Sequence, residues 1–310
     1  CPYGKTADRK PELETCVKQA REEYQNWYQN QAGRAKVYFE PEQPETAQGL
    51  PLPERMRRAR QGGEDTGLWN LYLGFARHLL IGSSQKGGFP SNLQGIWSEE
   101  IQPPWNGDWH LNAQQQLYWL AERIGLPENH EPFLELTRQL VEPGKKTAQA
   151  YYRARGWVVH TMTNSWGVTS PMENAAWGST VGSAAWQCHH LFEHYLYTLD
   201  REYLERVWPV MKGAACFFAD MLVEQRETGW LVTSPSSSPE NLFLDEQGRE
   251  CALCEGRSIS VERTPKLARA AAKSLRQRGM TTAGWACAYR ACLAARLWGG
   301  AWAIKSLEDV

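Results

Sequence analysis

The segment Thr233 to Asn241 reads TSPSSSPEN and sets a single carboxylate, Glu240, behind two prolines and four serines. No helix propagates through Pro235 or Pro239, because each lacks the backbone N–H and restricts the residue before it. Glu240 is therefore expected on a stiff loop. A fixed, partly desolvated carboxyl beside apolar rings takes a raised pKa and can protonate a leaving oxygen near neutral pH. The competing reading is that Glu240 only caps the turn that follows.

A second candidate surface is aromatic. Gly87 to Asn112, GGFPSNLQGIWSEEIQPPWNGDWHLN, carries Trp97, Trp105 and Trp109 with His110 and Asn112. Long connections between helices are usually functional, and Trp offers a flat apolar face with one N–H donor. Such faces suit sugar rings. GWVVHTMTNSWG supplies His160, Asn164 and Trp166, and SPMENAAWG supplies Glu173, Asn174 and Trp177. Polar donors between aromatic plates are the lining expected of a carbohydrate cleft.

Two patterns point elsewhere. His190-Leu191-Phe192-Glu193-His194 fits HxxEH on a helix, where two His one turn apart hold zinc and the Glu acts as base of a peptidase. The alternative is that His190 and His194 line an inward helix face with Trp186 and hydrogen-bond in the core. Cys251 and Cys254 have a knuckle spacing, but no second pair follows at a matching interval. No glycine-rich phosphate loop and no GxSxG elbow occurs; with no third-ligand signal downstream of HxxEH, no metal is expected, and no cofactor.

The elements that must hold these residues are helical. Apolar residues recur at three-to-four spacing over Asp65 to Ile81, with Asp65 and Thr66 as start signals and Gly82-Ser83-Ser84 as the stop. Further helices are predicted at Pro11 to Gln31, His110 to Arg123, Glu131 to Arg155, Gly182 to Thr198, Arg201 to Glu227, Thr264 to Arg278 and Gly284 to Leu297. Asp200 reads as an N-cap and Pro265 as a first-turn residue. Lys36 to Pro53 lacks a helical period and reads as a loop, and strand patterns are scarce.

Composition is that of a globular domain: 42% hydrophobic, 22% charged, 15 Trp in 310 residues. Lys and Arg number 34 against 35 Asp and Glu, a net charge of -1, which gives no field to attract nucleic acid or an anionic membrane. No signal peptide or spanning segment is visible and the first residue is Cys1, so the chain reads as a piece of a longer one, its compartment and oligomeric state open. The eight Cys are expected as buried thiols rather than a disulfide framework.

In order along the chain, GGFPSNLQGIW, PPWNGDWHLN, LYWLAE, HEPF, GWVVH, SPMENAAWG, HLFEHYLYTLD, MKGAACFFADML, TSPSSSPEN, RSISVERTPKLARAAAKSLRQRG and GWACAYRACLAARLW resemble the glycoside hydrolase family 95 alpha-L-fucosidases. The resemblance covers nearly everything after Gly67. It implies an all-α fold, an (alpha/alpha)6 barrel-like toroid, and inverting hydrolysis of terminal alpha-L-fucosyl linkages on an oligosaccharide or glycan. It makes Glu240 the general acid and Asn112 a residue that positions the attacking water, with Gln114 in place of a second asparagine. Trp97, Trp105, His110, His160, Asn164, Trp166, Glu173 and Asn174 are the expected substrate-binding set.

The chain departs from the family on the base side. The asparagine pair is Asn112 and Gln114, and the segment runs one residue short before Tyr118-Trp119. The helper-aspartate segment is not found. Residues 1–56 are expected as an N-terminal helix and linker and 57–310 as the barrel, incomplete, with an internal deletion near 251–257. About eight predicted helices, where six hairpins need about a dozen, leave part of the wall open and apolar faces exposed. An inverting pair of carboxylates stands about 6.5 to 9.5 Å apart around one water, and losing the base typically costs about 10² to 10⁴-fold. An inactive sugar-binding or relict module is the alternative to an enzyme, and a zinc metallopeptidase the remote one.

Overall fold

The computed structural model describes residues 10–40, 49–226, 231–237, 242–245 and 247–254. Glu240 and the two helices expected after Thr264 lie outside these residues. The architecture is all-α: α1 (Lys10–Ala32), α2 (Leu52–Arg60), α3 (Thr66–Ser83), α4 (Leu111–Leu117), α5 (Pro127–Gln139), α6 (Val141–Thr147), α7 (Ala175–Gly178), α8 (Ser183–Thr198) and α9 (Arg201–Met221). Among the described residues strands are two or three residues long and occur as antiparallel pairs: β1 (Trp109–His110) with β2 (Met162–Thr163), β3 (Leu222–Glu224) with β4 (Leu231–Thr233), and β5 (Phe243–Leu244) with β6 (Glu250–Cys251). Among the described residues the helices do not close into a ring, and no helix is long and apolar enough to cross a membrane.

The chain divides into two compact units. The first, Cys1–Met221 with Ser237–Leu253, contains the nine α-helices found among the described residues. Its core is built by α8 against α9, α5 against α8 and α4 against α8, around Leu111, Leu126, Phe133, Leu140, Trp157 and Leu191, all at zero exposure. Each such side chain contributes about 1.5–3 kcal/mol relative to an exposed one. In the second unit, Leu222–Ser236 with Cys254–Val310, β3 and β4 pair in the register Leu222 to Thr233, and Ser236 and Cys254 exchange two backbone hydrogen bonds.

α1 and α3 form over the two stretches expected to be helical. Asp65 caps α3 by accepting from the Leu68 N–H at 3.1 Å, and Arg55 holds the same carboxylate at 2.6 and 2.9 Å. Three expected helices come out differently. His110 to Arg123 stops at Leu117, because Tyr118 turns into the core, stacks on Phe133 at 4.9 Å and bonds through its hydroxyl to Ser84 and the Ser91 N–H. Glu131 to Arg155 becomes α5, α6 and a π-helical turn over Ala148–Tyr152, with Pro143 lacking the N–H that would have continued α5. Arg201 to Glu227 ends at Met221 and continues as β3. Of the cysteines described, none is in a disulfide; Cys16 and Cys254 are exposed and three others are partly buried.

Candidate functional site

The aromatic loop is fastened at both ends. Ser84 and Asn129 exchange hydrogen bonds of 2.8 and 2.6 Å, and the Trp109 indole donates to the Pro90 carbonyl at 3.0 Å. Between these anchors Asn92 donates to Gly107 O, and Gln94 to Pro104 O. Trp97 lies across Gly82 and Gly95, where a Cβ on Gly95, already at φ +64°, would overlap the ring. Trp105 and Asn106 both have left-handed backbone, at φ 54° and 57°. That costs roughly 1–2 kcal/mol per residue, and strain held by surrounding structure concentrates at functional sites. An open depression of about 380 Å³ adjoins this loop, lined by Gln85, Phe89, Asn92, Ile96 and Trp109.

The three candidate segments converge through short polar links. β1 pairs with β2 in the register Trp109 to Thr163 and His110 to Met162, and the Leu111 N–H donates to Thr161 O at 2.6 Å. Thr161 in turn donates its hydroxyl to Trp177 O at 2.7 Å. Thr180 and Ser237 share a hydroxyl contact at 3.2 Å, which attaches the start of the SSSPEN run beside the SPMENAAWG loop. Each link is a single bond across a long stretch of sequence, and together they set the loops after Gly87, Trp157 and Ser170 side by side.

The expected substrate-binding residues fall into three groups. Trp97, Trp105 and Trp166 are half to nine-tenths exposed, with Trp105 edge-on to His110 at 6.4 Å. Asn164 and Asn174 spend their side-chain oxygens locally, accepting from the Trp166 and Ala176 N–H groups, while Glu173 stands exposed beside them. His160 is at zero exposure and both ring nitrogens are engaged: Nδ1 donates to Thr169 O at 2.6 Å and Nε2 accepts from the Tyr152 hydroxyl at 2.6 Å. Burial pushes its pKa down while the Thr169 carbonyl works against that, so the ring is neutral and holds the GWVVH loop. Both ring nitrogens of this expected sugar-binding residue are thus spent on partners within the chain.

Asn112 lies in the first turn of α4, its Oδ1 buried without a hydrogen-bond partner. Gln114, two residues on, is at zero exposure with both amide atoms unpartnered. Sequence reasoning missed the rest of this group: Gln115 and Gln187 share the same condition, and the Thr163 hydroxyl is buried and unpartnered. Buried polar atoms are nearly always hydrogen-bonded, so the unpartnered amide atoms of Asn112 and Gln114 are a chemical feature of the expected asparagine-pair position. The Gln114-Gln115-Gln116 run in an otherwise apolar helix was the available signal. Asp108 was also missed; it is half-buried, and burial raises its carboxyl pKa against the pull of His110.

The HxxEH helix is arranged around a different carboxylate. Glu193 pairs with Arg123 at 2.6 Å, and His190 and His194 face Glu122 and His130 instead.

A sequence model described as the glycosyl hydrolase family 95 catalytic domain matches residues 16–261 and 251–310, two stretches that overlap at residues 251–261. The chain is 36% identical over 220 residues to "Alpha-L-fucosidase 2" of Arabidopsis thaliana, covering 70% of this chain and 26% of that protein. It is 35% identical over 204 residues to "Probable alpha-fucosidase A" of Aspergillus niger, covering 64% and 26%. The chain thus spans about a quarter of the length of these curated relatives.

Proposed function

This chain belongs to the glycosyl hydrolase family 95 catalytic domains, and from that premise we propose that its chemistry is inverting hydrolysis of terminal alpha-L-fucosyl linkages on an oligosaccharide or glycan. Glu240 is the general acid, Asn112 positions the attacking water, and Gln114 stands where a second amide is needed. The exposed Trp97, Trp105 and Trp166 supply the sugar-facing surfaces, with His110 and Asn164 beside them. The observation that carries this reading is the convergence of the aromatic loop, the GWVVH loop and the SPMENAAWG loop through the β1–β2 pair and the Thr161 link. The Thr180–Ser237 contact supports it by tethering the chain three residues before Glu240.

An acid alone does not complete the reaction. An inverting site needs an ionised partner about 6.5–9.5 Å away across one water. A non-catalytic sugar-binding or relict module is the second reading, favoured by Gln114 in place of asparagine and by a family match that comes in two stretches. A zinc peptidase would need Glu193 beside a metal, whereas Glu193 is paired with Arg123.

The test is a pair of assays on the chain as it stands. Fucose or 2'-fucosyllactose is titrated while Trp fluorescence is followed, and fucose release is measured with its anomeric configuration. Hydrolysis with inversion that disappears in Glu240→Gln while sugar binding persists is the expected result, because Gln keeps the shape but carries no transferable proton. Binding without turnover selects the module reading, and turnover that survives Glu240→Gln overturns the acid assignment.

A further inference from the structure

Four side chains from three elements meet in the core of the helical unit. Glu122 comes from the 3-10 turn Glu122–Ile124, His130 from α5, and His190 and His194 from α8. One oxygen, Glu122 Oε1, accepts from His130 Nδ1 at 2.8 Å and from His194 Nδ1 at 2.7 Å. The opposite nitrogen of His130, Nε2, lies 2.9 Å from His190 Nδ1. The ligand atoms of Glu122, His130 and His194 all fall within 4.8 Å of one another, and their side chains are 3%, 1% and 13% exposed.

We propose that Glu122, His130 and His194 form a structural site for a divalent transition metal, zinc by its donor set, separate from the sugar-hydrolysing chemistry. Two imidazoles and one carboxylate on a common point are ligands that zinc takes, at about 2.0–2.2 Å each. Ligands at that length in tetrahedral array stand about 3.3 Å apart, so the groups retract by about half an ångström from their present hydrogen bonds. The rings keep their single protons. His130 moves its proton from Nδ1 to Nε2 and donates it to His190 Nδ1, His190 then carries its own on Nε2, and His194 likewise shifts to Nε2–H. His190 thereby becomes the outer partner that fixes the tautomer of a ligating histidine.

A further observation points to a ligand here. The Tyr203 hydroxyl is buried with no hydrogen-bond partner, although its ring packs edge-on against His194 at 4.6 Å and the Glu122 charge acts on it. Three protein ligands leave one tetrahedral position, and in this proposal the Tyr203 oxygen closes it. The HxxEH pattern therefore contributes His194 as a ligand and His190 as the support of His130, while the carboxylate is drawn from Glu122 and not from Glu193. A closed site of this kind crosslinks α5, α8 and the turn at Glu122, and has no open position for catalysis.

The test uses the whole chain, dialysed with zinc and then against metal-free buffer, with zinc counted by mass spectrometry and cobalt(II) as an optical probe. One zinc per chain, a visible tetrahedral cobalt spectrum and a raised thermal midpoint are expected. His194→Gln, at the least buried ligand, removes the cobalt spectrum. His190→Gln keeps all three ligands and weakens binding roughly 10- to 100-fold. His189→Gln, at the exposed neighbour on the same helix, changes nothing. No stoichiometric metal in the unaltered chain overturns the proposal, as does a spectrum unaffected by His194→Gln and His190→Gln or one lost in His189→Gln. Should His194→Gln fail to fold by circular dichroism, the His190→Gln affinity decides.

Discussion

Glu122 is a buried carboxylate kept ionised. Burial alone would push its pKa up, but hydrogen bonds from His130 and His194 outweigh that and hold it to about 2. Burial pushes His130 down from 6.5, partly offset by Glu122, and pushes His190 well below 6.5. All three groups therefore bind fewer protons folded than unfolded between the two sets of values. Stability then rises with pH. The contribution is complete above about 6.5, is lost from the histidines as pH falls below that value, and is lost from Glu122 between about 4.5 and 2. Thermal midpoints measured from pH 8 to 5 in the presence of a chelator are expected to be level above pH 7 and to fall below 6.5. Removing the carboxylate is costlier than titrating it: Glu122→Leu leaves two histidine N–H groups buried without an acceptor, an expected loss of roughly 3–5 kcal/mol. Denaturant melts of Glu122→Leu and Glu122→Gln separate the two effects, since Gln retains an acceptor oxygen; equal losses would contradict this account.

At the scale of elements, α9 and the GWVVH loop are interlocked through two glycines. Trp157 is fully buried and donates its indole N–H to Val210 O at 2.8 Å, while its ring edge occupies the space beside Gly213. Gly156, at φ +70°, lets the loop approach α9 so closely that a Cβ there would overlap the Gly213 carbonyl oxygen. Gly156→Ala is expected to cost roughly 2–4 kcal/mol, the left-handed strain plus the overlap, read as a lowered denaturation midpoint. An effect below about 0.5 kcal/mol, the range of surface changes, would show that the loop can move away. This interlock also shows what the sequence could and could not express. α3 announces itself by apolar period and by Asp65 as a cap, both local signals. The break after Leu117 does not, because it depends on where the Tyr118 hydroxyl finds Ser84, 34 residues earlier. The site divides the same way. Its loops are visible as Trp-rich, Gly/Pro-rich runs, whereas their convergence rests on a two-residue strand pair that has no periodicity to read. The Glu122–His130–His194 cluster joins residues up to 72 apart, and HxxEH names one of its three ligands and the wrong carboxylate.

For the whole molecule, the question is what its surface does in water. The exposed side of α3 carries Trp69, Tyr72 and Phe75 at three-residue spacing, 63%, 73% and 56% exposed, so the three form one stripe along the helix. A helix facing water on that side normally presents charge there, and contiguous exposed apolar area is a site of association. Nor does electrostatic repulsion protect the chain, since its net charge is -1 and its pI about 6.7. The expectation is concentration-dependent self-association at pH 7 with strong binding of an apolar dye. Light scattering and sedimentation velocity on the chain and on a Trp69→Glu, Phe75→Lys double variant measure it. Because both side chains stand in solvent, the variant should fold with a thermal midpoint close to the original while association and dye fluorescence drop together. Two outcomes would contradict the argument. A double variant that unfolds would mean that this stripe is buried by contacts within the chain. Unchanged association at equal stability would place the sticky surface elsewhere, with the outward Phe192, Leu196 and Trp208 as the next apolar group to replace.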